Sequence, residues 1–174
     1  IMGDRSQLRS SAYVLGFQRP WGPERALVAD DAARIGRYLH EWSASPGWPP
    51  PDVEQRYREA FSLANTAHCA LEYHRWALRS IPRADGRRFI ERVSSVRVTA
   101  PVLQLHGAQD RTVLPRTAIG SRHYTAGPYA WRLLADTGHF INEEAQPRVL
   151  ALLLQWLADN GNWSDPPSRD PLRT

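Results

Sequence analysis

The spacing of apolar residues changes character near residue 97. Before it, apolar side chains recur at three- and four-residue steps. Leu27, Ala32, Ile35, Tyr38, Leu39 and Trp42 mark one helix face over residues 24–42. Residues 53–63 predict a second helix with Asp52 as its N-cap, residues 67–78 a third, and residues 87–93 a short fourth. Prolines and glycines at 20–23 and 46–51 interrupt the pattern. After residue 97 the runs are short and continuous. Residues 102–105 follow Pro101 and suit a buried parallel strand. Residues 130–135 form a second candidate strand, with a short helix over 116–121 between them. Pro147 then opens a last helix, striped by Val149, Leu150, Leu153, Leu154 and Leu157. The pattern predicts an α/β chain in three parts: a helical region over 1–97, a strand-and-helix region over 98–160, and a loose polar tail over 161–174.

The two strands carry the candidate chemistry. A turn, Gly107-Ala108-Gln109-Asp110, follows the first, and Thr137-Gly138-His139-Phe140 follows the second. Functional groups gather at the carboxyl ends of strands in an open α/β sheet. Gly138 lets the backbone bend beside His139. A carboxylate bonded to a histidine fixes the ring tautomer and stabilises the imidazolium. The plainer alternative is that Asp110 caps a turn and His139 is an ordinary loop histidine.

In this order, the acid turn, the Gly138-His139-Phe140 loop and the closing helix resemble the C-terminal part of an α/β-hydrolase, where Asp110 matches the triad acid and His139 its base. YVLGFQRPWGPERAL, HEWSASPGWPP and ALEYHRWALRS resemble the lid of the epoxide-hydrolase-like members, inserted just before the acid strand. The resemblance spans about residues 10–158. It implies attack by an upstream Asp on an epoxide carbon, then hydrolysis of the ester by water that His139 activates. Two lid tyrosines would hydrogen-bond the epoxide oxygen. Tyr13 matches the first, and the second falls on His74, a departure that weakens the case for efficient epoxide opening. Neighbouring Tyr73 points about 100° away on a helix, so only one of the pair would face the site. Trp21, Trp42, Trp48 and Trp76 read as lid core rather than substrate wall, and Glu143 and Glu144 as solvated loop charges.

No G-x-S-x-G or G-x-D-x-G elbow occurs. Gly107 to Arg111 lacks the second glycine and is already the acid turn, and Gly120-Ser121-Arg122 lies in a predicted helix. By the family's order, the nucleophile and oxyanion loop belong upstream of Ile1, and Met2 need not be an initiator. The chain therefore reads as the C-terminal half of a hydrolase, inactive alone, whose packing partner is the N-terminal half of the core. An unpaired strand edge predicts a poorly soluble or partly molten chain. A serine esterase-type hydrolase and a non-catalytic truncated product or binding module remain open as alternatives.

Composition narrows the picture modestly. The formal charge is +4 and the pI about 9.7. All 22 basic residues are arginine, scattered among 18 acids rather than gathered in a stripe, which argues against nucleic-acid binding. The resemblance implies a small hydrophobic substrate and no cofactor. The six histidines show no metal-ligand spacing. The one cysteine, Cys69, reads as a small core residue. Neither a membrane span nor a secretory leader is evident, and a cytoplasmic location fits.

Overall fold

A computed structural model describes residues 5–162; most of the predicted tail lies outside the described residues. Helices α1 (Arg5–Ser10), α2 (Tyr13–Gly16), α3 (Gly22–Trp42), α4 (Pro51–Ser62), α5 (Thr66–Arg79) and α6 (Ala84–Ser95) come first. Strand β1 (Val102–Gly107), helix α7 (Pro115–Ala118), a 3-10 turn (Ile119–Tyr124), strand β2 (Tyr129–Leu134) and helices α8 (Ile141–Glu144) and α9 (Gln146–Asn160) follow.

The periodic apolar face of α3 does what its spacing implies. Leu27, Ile35 and Leu39 are buried with Ala32 and with Ala67 and Leu71 of α5. Phe17, Tyr38, Trp48, Tyr57, Phe61 and Phe140 pack around them. Burial of each large aliphatic side chain contributes about 2 kcal/mol.

The expectation of one continuous helix over 24–42 is corrected. Ala29 is extended, and Asp30, Asp31 and Ala32 take φ of 53°, 52° and 56°. Aspartate tolerates this left-handed region better than most residues. Arg58 of α4 fastens the break, donating from Nε to Asp31 O at 2.8 Å and from Nη2 to Asp30 O at 3.2 Å. Asp52 is not the cap of α4. Pro50 holds that position, Pro51 opens the helix, and Asp52 pairs with Arg56 on the exposed face. The single helix predicted over 116–121 is instead α7 followed by the 3-10 turn.

β1 and β2 pair in parallel, from Val102 against Tyr129 to Gly107 against Leu134. They start and end within two residues of the expected runs. Most of their residues are only half-buried. Leu150, Leu153, Leu154 and Leu157 of α9 are exposed, as are Phe89, Ile90 and Val93 of α6. The stripe predicted for α9 exists, yet among the described residues its leucines join no buried core. Cys69 is exposed rather than buried, which corrects its reading as a core residue. Among the described residues, no helix is long and apolar enough to cross a membrane.

Candidate active site

The acid turn and the histidine loop are tied together by backbone before any side chain contributes. Ala108 N donates to Leu134 O at 2.9 Å, and Gln109 N to Thr137 O at 3.0 Å. A Cβ on Gly107 would collide with the carbonyls of Thr137 and Gly138. Glycine there serves close approach of two loops past the C-terminal ends of β1 and β2.

Asp110, buried, and His139, one-third exposed, face each other across this junction. His139 Nδ1 lies 2.9 Å from Asp110 Oδ2. Asp110 Oδ1 accepts from Thr112 N at 2.8 Å, Val113 N at 3.0 Å and Thr112 Oγ1 at 2.9 Å. The backbone pair makes an Asx-type turn that locks the carboxylate plane. Thr112 Oγ1 also sits 2.7 Å from His139 Nδ1. One assignment satisfies every contact: the hydroxyl donates to Asp110, and Nδ1–H is shared between the carboxylate and the hydroxyl oxygen. Nε2 is then the basic nitrogen of the ring. Burial pushes the Asp110 carboxyl up, but hydrogen bonds from His139, Val113 and Thr112, with the charge of His139, outweigh it and hold the group below its ordinary value.

Gln7 supports the acid loop through its backbone. Fully buried, it donates from Nε2 to Thr112 O at 2.7 Å and accepts from Leu114 N at 2.8 Å. His106 Nε2, 3.6 Å from Asp110 Oδ2, donates to Val113 O at 2.8 Å while its ring stacks on Trp131.

Glu144 corrects its reading as a solvated charge. It is half-buried, and four peptide N–H groups converge on it. Ala44, Ser45 and Gly138 donate to Oε2 at 2.8, 3.0 and 2.9 Å, and Phe140 donates to Oε1 at 3.0 Å. Burial raises this carboxyl, but those four donors prevail and hold it below the ordinary value. Glu143 is exposed and accepts a long hydrogen bond from Tyr57 Oη. Between Glu144's donors, His139 N bonds Trp42 O at 2.8 Å. Gly138 was expected to bend the chain. Its φ is not positive; its requirement is space, because a Cβ would strike Trp42 O and Ala44 N.

An aromatic cluster leads away from His139. Trp42 and Phe140 pack on its ring at centroid distances of 5.8 and 5.3 Å. Tyr13 touches Trp42 at 5.1 Å and lies 6.3 Å from His74. The two residues singled out in the helical part are therefore neighbours. His74 rather than Tyr73 turns inward: Tyr73 is 77% exposed, whereas His74 lines a cavity of about 190 Å³ with Phe17, Tyr38, Trp42, Leu71 and Phe140. Burial lowers the His74 pKa, which favours the neutral ring. Burial, with the negative charge of Asp110, raises that of the Tyr13 phenol. Of the four tryptophans assigned to the core, Trp42 lines the cavity and Trp48 packs on Phe140, while Trp21 and Trp76 are exposed. Among the described residues, no three His, Cys, Asp or Glu side chains are grouped to hold a metal ion.

Sequence reasoning missed Gln7, Thr112 and Glu144. An Asp two residues before a Thr is a recognisable Asx-turn signal for Thr112. Gln7, and Glu144 in its bonds to Ala44 and Ser45, act on backbone more than 90 positions away, and local pattern carries no sign of that.

No family model matches the chain. Mouse epoxide hydrolase 3 is 25% identical over 156 residues, which cover 88% of this chain and 39% of that protein. An epoxide hydrolase from Bacillus megaterium in complex with an inhibitor superposes with a TM-score of 0.70 at 22% identity, over 90% of this chain and 54% of that one. A putative acyltransferase from Salmonella enterica gives 0.75 at 16%, over 90% and 50%. The chain has the fold of the C-terminal half of an α/β-hydrolase, resembles epoxide hydrolases, and spans about half the length, or less, of these relatives.

Proposed function

We propose that this chain supplies the acid, the base and the lid of an epoxide-hydrolase-like enzyme. The proposal builds on a hydrolase fold whose C-terminal half these residues reproduce. Asp110 is the orienting acid and His139 the base. The supporting observation is the 2.9 Å contact between them, past the carboxyl ends of two parallel strands and beside an aromatic cavity. Residues 1–97 form the lid and 98–160 the C-terminal part of the core.

In the complete enzyme, an Asp carboxylate on the N-terminal half attacks an epoxide carbon. The C–O bond breaks, and Tyr13 with neutral His74 hydrogen-bonds the developing alkoxide. His139 Nε2 then takes a proton from water, which attacks the ester carbonyl. The ester C–O bond breaks as His139 returns that proton to the leaving oxygen. The second proton of the water goes to the epoxide-derived alkoxide held by Tyr13 and His74, so the neutral diol departs and the carboxylate is regenerated. The cavity's apolar, aromatic wall suits a small hydrophobic substituent. The nucleophile lies on the N-terminal half of the core, which packs against the β1–β2 sheet and α9. Residues 1–174 alone are therefore inactive, since a base and its acid cannot complete the covalent route.

The test is to recover the reading frame upstream of Ile1 and assay the whole protein. A G-x-D-x-G elbow, with a single turnover in ¹⁸O-water yielding unlabelled diol, supports the proposal, because the transferred oxygen comes from the carboxylate. Label in the first-turnover diol argues against the ester. A second reading, a serine hydrolase or acyl-transfer enzyme, is favoured by His74 standing where the resemblance has tyrosine and by the acyltransferase-like neighbour. A G-x-S-x-G elbow with ester turnover would establish it. His74→Tyr discriminates further: epoxide turnover is expected to rise about tenfold if the ring donates to an alkoxide.

A further inference from the structure

The contacts of Glu144 go beyond those of an ordinary loop acid. Its carboxylate is a point where the histidine loop and the chain following α3 share a partner. Three consecutive amides around the base are fixed from outside their own loop: Gly138 and Phe140 by Glu144, and His139 by Trp42 O. The same carboxylate holds Ala44 and Ser45, two and three residues after the tryptophan whose carbonyl and ring both meet His139. Ser45 Oγ adds a bond to Asp136 O at 3.1 Å. Loss of the charge would release both sides together, because each N–H would lose its acceptor in a half-buried place.

We propose that Glu144 is a positioning residue for His139: it fastens the histidine loop and the 44–45 turn to one carboxylate and so fixes the ring relative to Asp110 and to the aromatic cavity. The proposal rests on His139 being the base. It adds that the lid and the base move as one unit and that an ionised side chain is the hub of the joint between them, beside the His139 N–Trp42 O and Ser45 Oγ–Asp136 O bonds.

The experiment is NMR on ¹⁵N-labelled chain kept dispersed by Leu153→Glu and Leu157→Glu, unsubstituted at position 144 or carrying Glu144→Gln or Glu144→Asp. It reads amide exchange at residues 44, 45, 138 and 140 together with the ring nitrogens of His139. In the unsubstituted chain the ring is expected in the Nδ1–H form. Glu144→Gln is expected to speed exchange at all four amides about tenfold and to mix the two ring tautomers, while amides inside α5 stay unchanged. Glu144→Asp keeps the charge on a shorter stem and is expected to fall between the two; it also provides the readout if the glutamine variant does not fold. Faster exchange at 138 and 140 alone, or faster exchange at all four with an unaltered ring, overturns the proposal. So does unsubstituted behaviour in both variants. An Nε2–H ring in the unsubstituted chain overturns the pairing with Asp110 itself, and with it the catalytic reading. An Nδ1–H ring indifferent to position 144 overturns only the role of Glu144.

Discussion

At the residue scale, the site depends on one carboxylate being ionised and held still. Asp110→Asn keeps the shape but offers an N–H where Nδ1–H needs an acceptor, so His139 should adopt the other tautomer. Turnover of the complete enzyme is expected to fall on the order of 10³–10⁴-fold, as when a triad Asp becomes Asn elsewhere. Steady-state kcat with unchanged circular dichroism checks this. Asp110 and Glu144 both titrate below ordinary carboxylates in the folded chain. Each therefore contributes stability that is complete above the unfolded value of about 4 and is lost as pH falls through the lower folded value. Near-UV dichroism should hold constant down to about pH 4.5 and decline below it. A decline that begins near pH 6 contradicts this assignment.

Among the elements, the arrangement of α3 and α5 rests on apolar packing and on the ion pairing of Glu24. Arg75, 4% exposed, donates to both oxygens of Glu24, to Glu72 and to the carbonyls of Phe17 and Arg19. The hydrogen bond from Arg75 is the chief cause that lowers the Glu24 carboxyl to about 2, against a smaller opposing effect of burial. Glu24→Gln leaves a buried guanidinium with Glu72 as its remaining anion. Stability is expected to drop by about 2 kcal/mol, read from urea unfolding. This pair was not legible in the sequence because its partners are 51 positions apart. The helices and strands were legible, because periods of 3.6 and short apolar runs are local properties. The break in α3 was not, since Leu27 and Ile35 keep helical spacing across it and only the Asp30-Asp31 doublet hints at a left-handed turn. Trp21, Trp76 and Cys69 were misplaced for a related reason: size and apolarity state a preference for burial, not the presence of something to be buried against. The Asp110–His139 pair could be foreseen because both follow strands that lie side by side, so their meeting is a matter of topology.

At the scale of the molecule, the helical part has its own buried cluster, whereas the two-stranded sheet has half-buried strands and leucine-rich α9 beside it. Such an apolar surface favours association. The chain is expected to bind a hydrophobic dye and to self-associate at micromolar concentration. Leu153→Glu with Leu157→Glu should disperse it without lowering the cooperative transition of the helical part. Sedimentation and calorimetry read the two effects separately, and a monomeric, dye-silent parent chain refutes the expectation. An added N-terminal half that covers this face should raise the midpoint in proportion to its binding.

The seam at Glu144 has an evolutionary consequence. Its carboxylate recognises main-chain N–H groups, and nearly every bond across that seam ends on a peptide atom. Such a joint asks little of the side chains at 44 and 45 beyond the Ser45 Oγ bond to Asp136 O, but it excludes proline, which has no N–H to offer. The helical segment can therefore diverge, or be exchanged for that of a distant relative, without losing its fit to the histidine loop. The cavity wall is free to drift while the Asp110–His139 frame stays fixed, and chimeras joined after residue 45 should keep that frame where Ala44→Pro alone destroys it.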